Sequence, residues 1–203
     1  METIRLSDDF DTAVKRAAEV LRQGGAIIYP TDTLYGLGVD ALSDAAVENL
    51  YALKGREAGK PTHCIVADLA MAKEYAEVND AARKVAEKFL PGALTLILKK
   101  KPGIAGGITR GMETIGIRIP DNQFCIKLAR SLGRPFTATS ANRAGVEPES
   151  EFEKVLASVK ADLAIDAGPL PLSKPSTIVN LVSGYPTILR EGVIPGADVL
   201  ALF

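Results

Sequence analysis

The stretch Thr114-Ile115-Gly116-Ile117-Arg118-Ile119, closed by Pro120, changes character at every residue. A period of two is that of a β-strand, whose successive side chains point to opposite faces of the sheet. The three isoleucines therefore share one face and belong to a core. Thr114, Gly116 and Arg118 share the other face, which is small, polar and cationic. Gly116 would let a ligand come close to the backbone there. A solvated sheet face carries the same pattern, so this strand is either an exposed surface or one wall of a binding site.

Working outward, short apolar runs read as further strands over residues 26–29, 63–67, 94–98, 135–139, 163–166, 177–181 and 187–190. Helical stripes at i, i+3, i+4, i+7 separate many of them. They run through Val14 to Leu21, Val47 to Tyr51 behind Ser43, Ala82 to Phe89, Cys125 to Leu132, and Phe152 to Val159. Strands and helices alternate, which is the pattern of an α/β domain. The last two strands meet through Ser183-Gly184, so part of the sheet is antiparallel and the whole is mixed. No internal repeat or linker divides the chain, and residues 1–203 read as a single domain. Lys99-Lys100-Lys101-Pro102-Gly103 and the glycine-rich segment to Gly111 read as a mobile loop, its lysines a solvated strand end.

Composition narrows the function. The 203 residues are 47% hydrophobic and 24% charged, with a net charge of −1. A domain of this size buries roughly 70% of its unfolded surface and needs no staples. The near-neutral balance argues against a protein that coats nucleic acid, which would be basic. No apolar run approaches the roughly 20 residues of a membrane span. Cys64 and Cys125 form no Cys-x-x-Cys pair and read as reduced core thiols, which suits the cytosol. With His63 the single histidine, and no Gly-x-Ser-x-Gly elbow, a His-rich zinc site and a Ser-His-Asp hydrolase are both set aside.

Two more segments put polar residues where the pattern asks for apolar ones. Lys54 continues the buried stripe of Val47, Leu50 and Tyr51, so it either snorkels outward or points into a cavity. Lys54-Gly55-Arg56 with Gly59-Lys60 then gathers three cations on one turn. This is not a phosphate-binding P-loop: it is one residue short, and Pro61 stands where Ser or Thr must hold magnesium. Thr139-Ser140-Ala141-Asn142 ends a strand, where ligands of open α/β sheets gather and where turn formers are also common.

Together these segments resemble the YrdC-type threonylcarbamoyl-AMP synthase family. The strongest match is Pro30-Thr31-Asp32-Thr33-Leu34-Tyr35-Gly36-Leu37-Gly38. A split Lys-x-Arg…Ser-x-Asn tetrad follows at Lys54, Arg56, Ser140 and Asn142. Supporting matches lie at 90–95, 115–120, 175–179 and 188–190. The resemblance implies a twisted, mainly mixed open sheet with flanking helices around a large concave basic site. Its tetrad would be catalytic and, with Lys60, Thr114 and Arg190, would surround ATP. Thr33, Arg118 and Ser176 would hold L-threonine, with the backbone near Ala138 and Thr139 assisting.

The implied reaction joins L-threonine, bicarbonate and ATP, accompanied by Mg2+, into threonylcarbamoyl-AMP and pyrophosphate. A downstream transferase would use the product to modify the adenosine next to the anticodon in tRNAs reading codons that begin with A. Contact with RNA and a cytoplasmic location are implied as well. Departures are Glu57 for a common Pro, Lys60-Pro61 for Asn-Pro, and a His63 that does not align with the threonine-contacting His of some members. Longer members add a C-terminal domain whose linker covers the site, so any lid here is expected from elsewhere. Rival readings are a paralogue with altered substrate, an RNA-binding module using the same basic face, and a phosphosugar enzyme.

Overall fold

The computed structural model describes residues 1–55, 61–104 and 106–203. Its strands are β1 (Glu2–Arg5), β2 (Ile27–Tyr29), β3 (Gly36–Gly38), β4 (His63–Ile65), β5 (Leu94–Lys99), β6 (Thr114–Arg118), β7 (Phe136–Ser140), β8 (Leu163–Asp166), β9 (Thr177–Asn180) and β10 (Thr187–Arg190). The helices are α1 (Phe10–Arg22), α2 (Asp44–Lys54), α3 (Leu69–Tyr75), α4 (Asp80–Phe89), α5 (Gly106–Thr109), α6 (Gln123–Leu132), α7 (Phe152–Ser158) and α8 (Gly196–Leu200). Among the described residues the strands form one sheet in the order β1-β8-β2-β3-β7-β4-β6-β5-β9-β10. Parallel pairs (β1–β8, β2–β8, β4–β6, β5–β9) and antiparallel pairs (β2–β3, β3–β7, β4–β7, β5–β6, β9–β10) make it mixed, as the alternation predicts.

Helix starts follow from their caps. The side chains of Asp9, Ser43, Asp68, Asn79 and Asn122 each accept a backbone N–H that the first turn leaves unpaired. Such a cap contributes about 1 kcal/mol. Gly55 and Gly133 end α2 and α6 at φ of 59° and 72°, left-handed values that a side chain would resist.

The sheet carries a hydrophobic cluster on each face. Ile115, Ile117 and Ile119 lie in the larger one with Val47, Leu50 and Val85, so the core assignment of the three isoleucines holds. On the opposite face Val14, Ala17, Leu21, Leu128 and Leu132 of α1 and α6 pack over Ile27, Ile65, Phe136 and Leu163. Truncating a side chain such as the fully buried Leu21 to alanine is expected to cost about 2–5 kcal/mol.

Several elements were not legible beforehand. β3 is Gly-Leu-Gly, a sequence of low strand propensity, yet it pairs with both β2 and β7. Its glycines make room for the Tyr29 ring: a Cβ on Gly36 would fall 2.5 Å from Tyr29 Cζ, and one on Gly38 2.8 Å from Cε1. The segment read as a mobile loop up to Gly111 contains α5, held against α2. Gly107 N donates to Asp44 Oδ1 at 2.6 Å, Arg110 pairs with Glu48, and its guanidinium lies 3.9 Å over the Tyr51 ring. Local composition could not reveal contacts made across some sixty positions. Lys99 and Lys100 do sit at a strand end, paired with Glu77 and Glu113. No helix of the described residues is long and apolar enough to cross a membrane.

Candidate active site

The face of the sheet covered by α1 and α6 runs out from under them along β4 and β7. On β7, Phe136 is core, while Ala138 and Ser140, two and four residues on, border a cavity of about 380 Å³. On β4 the same period takes Ile65 under the helices and His63 into the cavity wall. Register then carries the wall sideways: His63 lies opposite Ala138 and Gly116, Arg118 opposite Thr95, and Thr95 opposite Ile178. The volume lies within the range of small-molecule sites.

The turn after β2 supplies the next wall, and its hydrogen bonds follow from one hydroxyl. Thr31 Oγ1 donates to Leu34 O at 2.7 Å and accepts from the N–H groups of Thr33 and Leu34 at 3.0 and 3.1 Å. Its proton is then spent on Leu34. Thr33 Oγ1 accepts from Arg118 Nη2 at 2.8 Å and lies 3.1 Å from Thr31 Oγ1, so its own proton can be given to Thr31 or to a ligand in the cavity. The same Nη2 forms an ion pair with Asp32 Oδ1 at 2.5 Å, and Asp32 Oδ2 accepts from Asp121 N at 3.2 Å. Nη1 of Arg118 makes no hydrogen bond among the described residues and is not one of their buried orphans.

Thr95 and Ser176, both buried lining residues, share a hydrogen bond of 2.9 Å between their hydroxyls. Arg190, on the edge strand β10, donates through Nε and Nη2 to Ser176 O at 3.2 and 2.7 Å and through Nη2 to Ser176 Oγ at 3.2 Å. Burial, and then repulsion from Arg118, lower the Arg190 pKa from its usual value. The described lining residues include these two arginines and no carboxylate. Asp32 balances Arg118, and Arg190 is left as an uncompensated cation. Thr62 Oγ1 and Arg118 Nε are buried and find no hydrogen-bond partner among the described residues, and the same holds for Asn142 Oδ1 behind the wall. Such a surface favours an anionic, hydrogen-bonding ligand.

Seven residues singled out from sequence line this cavity together: Thr33, Arg118, Ala138, Thr139, Ser140, Ser176 and Arg190. Lys54 and Asn142 do not line it; they hold its rim from behind. Lys54 Nζ, buried in neither of the ways expected from sequence, donates to the carbonyl oxygens of Ser140 and of Asn142, the latter at 2.8 Å. Asn142 Nδ2 donates to Arg143 O and Val146 O at 3.0 and 2.5 Å, closing a turn. Thr114 begins β6 opposite Lys99 and is not a lining residue. Arg56, Glu57 and Lys60 lie outside the described residues.

The space over Gly116 is taken by protein rather than left for a ligand: a Cβ there would lie 2.4 Å from His63 Cδ2. His63, weighed from sequence but given no role, also lines the cavity, as do Thr31, Thr62 and Thr95, which were not named as site residues. The signal for His63 was its period-two spacing from Ile65. Tyr35, another lining residue, donates to Gly168 O at 2.6 Å and accepts from Ala167 N at 3.0 Å. Burial pushes its pKa up to about 12, which marks it as a brace. Among the described residues no three His, Cys, Asp or Glu side chains converge as a metal site.

Comparison with known proteins places this geometry. The chain is 42% identical over 187 residues to a Methanocaldococcus jannaschii protein named "Putative threonylcarbamoyl-AMP synthase", covering 89% of this chain and 88% of that one. It is 33% identical over 196 residues to the Bacillus subtilis protein named "Threonylcarbamoyl-AMP synthase", covering 95% of this chain and 57% of the relative. The crystal structure of P. abyssi Sua5 complexed with L-threonine superposes with a TM-score of 0.92 at 30% identity, over all of this chain and 60% of that one. This chain thus spans nearly the whole of one relative and little more than half of the other two. The family model Sua5/YciO/YrdC, described as "Telomere recombination", matches residues 19–192, and the chain belongs to that family.

Proposed function

We propose that the protein is an L-threonylcarbamoyladenylate synthase, a nucleotidyltransferase that forms threonylcarbamoyl-AMP and pyrophosphate from L-threonine, bicarbonate and ATP. The observation that carries this reading is the donor pair of Arg118 and Thr33 at the cavity wall, in a fold shared with a relative crystallised with L-threonine. Arg118 Nη1 and the Thr33 hydroxyl proton suit one carboxylate, a planar group that a guanidinium binds well. Ser176, held by Thr95 and Arg190, closes the threonine pocket with the backbone near Ala138 and Thr139.

The amine of threonine condenses with bicarbonate to a carbamate, releasing water. A carbamate oxygen then attacks the α-phosphorus of ATP, the bond to the β-phosphate bridging oxygen breaks, and pyrophosphate leaves. Little proton transfer is needed at phosphorus, so the site works by positioning and charge neutralisation. ATP is assigned to Lys54, Arg56, Lys60, Thr114, Ser140, Asn142 and Arg190, with Mg2+ arriving on its phosphates. Within that set Lys54 shapes the Ser140–Asn142 rim through its carbonyl bonds. The carbamate decays in water, so closure of the cavity over it would protect it.

One domain carries this chemistry in the cytoplasm. The product passes to a transferase that modifies tRNA, and any RNA contact falls on the concave face. The test is pyrophosphate release from ATP by the purified protein, expected to require L-threonine and bicarbonate together. Equal release with serine, or with no amino acid, refutes threonine as the substrate. Arg56→Ala is expected to weaken ATP binding by about 1.5–3 kcal/mol by calorimetry, the scale of charge-assisted hydrogen bonds.

A further inference from the structure

We propose that Asp32 is a positioning residue for the substrate carboxylate: it sets the plane of the Arg118 guanidinium so that one nitrogen faces the cavity. The inference rests on the function proposed above and deepens it. Asp32 is not among the lining residues and would not touch the ligand. Its two oxygens are divided, Oδ2 accepting from Asp121 N at 3.2 Å and Oδ1 pairing with Arg118 Nη2 at 2.5 Å. The carboxylate is thus fastened to the backbone on one side and grips the guanidinium on the other.

A guanidinium is planar, so fixing one nitrogen against two partners leaves little freedom for the rest. Nη2 is committed to Asp32 and to Thr33 Oγ1 at 2.8 Å, and Nε is buried. Nη1 remains for a ligand. The contact with Thr33 adds a second consequence. By donating to Thr33 Oγ1, Arg118 fixes that hydroxyl as a donor, with its proton shared between Thr31 Oγ1 at 3.1 Å and a ligand. One carboxylate outside the cavity therefore orients two donors inside it, and both would meet the same anionic group. Asp32 and Arg118 are each about 10% exposed, so water does little to loosen the grip. Displacing such a group by about 1 Å can cost a factor of a hundred in rate.

The informative change is Asp32→Glu, which keeps the charge and moves it by one methylene. We measure threonine-dependent pyrophosphate release and L-threonine binding for the parent, Asp32→Glu, Asp32→Asn, Arg118→Ala and Asp32→Glu/Arg118→Ala, at a temperature where melting curves show each to be folded. The expected result for Asp32→Glu is a threonine KM raised at least tenfold with the ATP KM within twofold. In the Arg118→Ala background the same change should move the threonine KM by less than twofold, because its effect runs through that arginine. Should one Asp32 variant fail to fold, the other carries the same comparison. Equal loss for ATP and threonine, or an undiminished effect without Arg118, overturns the role and leaves the proposed function standing. A parent protein that neither binds L-threonine nor releases pyrophosphate overturns both.

Discussion

Replacing Arg118 with alanine removes a guanidinium that does two jobs. From sequence, the polar face of that strand was either solvated or a site wall; the structure makes Arg118 a lining residue that is also paired with a buried carboxylate. Arg118 lines the cavity and pairs with Asp32 at 2.5 Å, each side chain about 10% exposed. At an effective dielectric of about 20, unit charges about 4 Å apart attract by about 4 kcal/mol. Truncating one member of a buried pair costs about 3–5 kcal/mol, mostly because the other is left stranded. The residual exposure of both groups to the cavity places Arg118→Ala near the lower bound, at about 3 kcal/mol. For a chain of this length that is a fall in Tm of about 6–12 °C.

Thermal and urea melts of the parent, Arg118→Ala, Asp32→Asn and the double variant supply the assay. A coupling energy of at least about 1.5 kcal/mol should appear in the cycle, the double variant losing less than the sum of the singles. An Arg118→Ala protein that melts within about 2 °C of the parent refutes the argument, since it would mean that Asp32 is content without its partner.

Three other outcomes follow from particular contacts. Gly116→Ala should destabilise by about 1–3 kcal/mol in a urea melt, because the new methyl meets His63 Cδ2 at 2.4 Å and Ile97 Cδ1 at 3.2 Å; an unchanged midpoint would show that the imidazole yields freely. Lys54→Met should cost about 2–4 kcal/mol and lower kcat, since it strips the Ser140 and Asn142 carbonyls of a charged donor. Normal stability with normal turnover would assign that lysine no structural part. Burial pushes Cys64 up to about 12 and Cys125 further, so both stay thiols at pH 8. Neither should be alkylated in the native protein, and a mass spectrum showing early adducts on either would contradict that.

Much of the frame was readable from the chain itself. The period of two in Thr114 to Ile119 separated core isoleucines from a polar face, and both faces are where that alternation put them. Ser43 and the Ser183-Gly184 hairpin marked real boundaries because caps and turns act within a few residues. The block from Pro30 to Gly38 and the tetrad pointed to the family. What was not readable depends on distant partners. Gly-Leu-Gly becomes a strand because β2 and β7 flank it, and Gly116 is needed for the His63 ring rather than for a ligand. Lys54 spends its charge on carbonyls 86 and 88 residues away. Arg118 finds Asp32 at a separation of 86. Periodicity and capping depend on neighbours along the chain, so sequence alone carries them. Which carboxylate meets which arginine depends on strand order and register, and those are settled only when the whole sheet buries its two faces together.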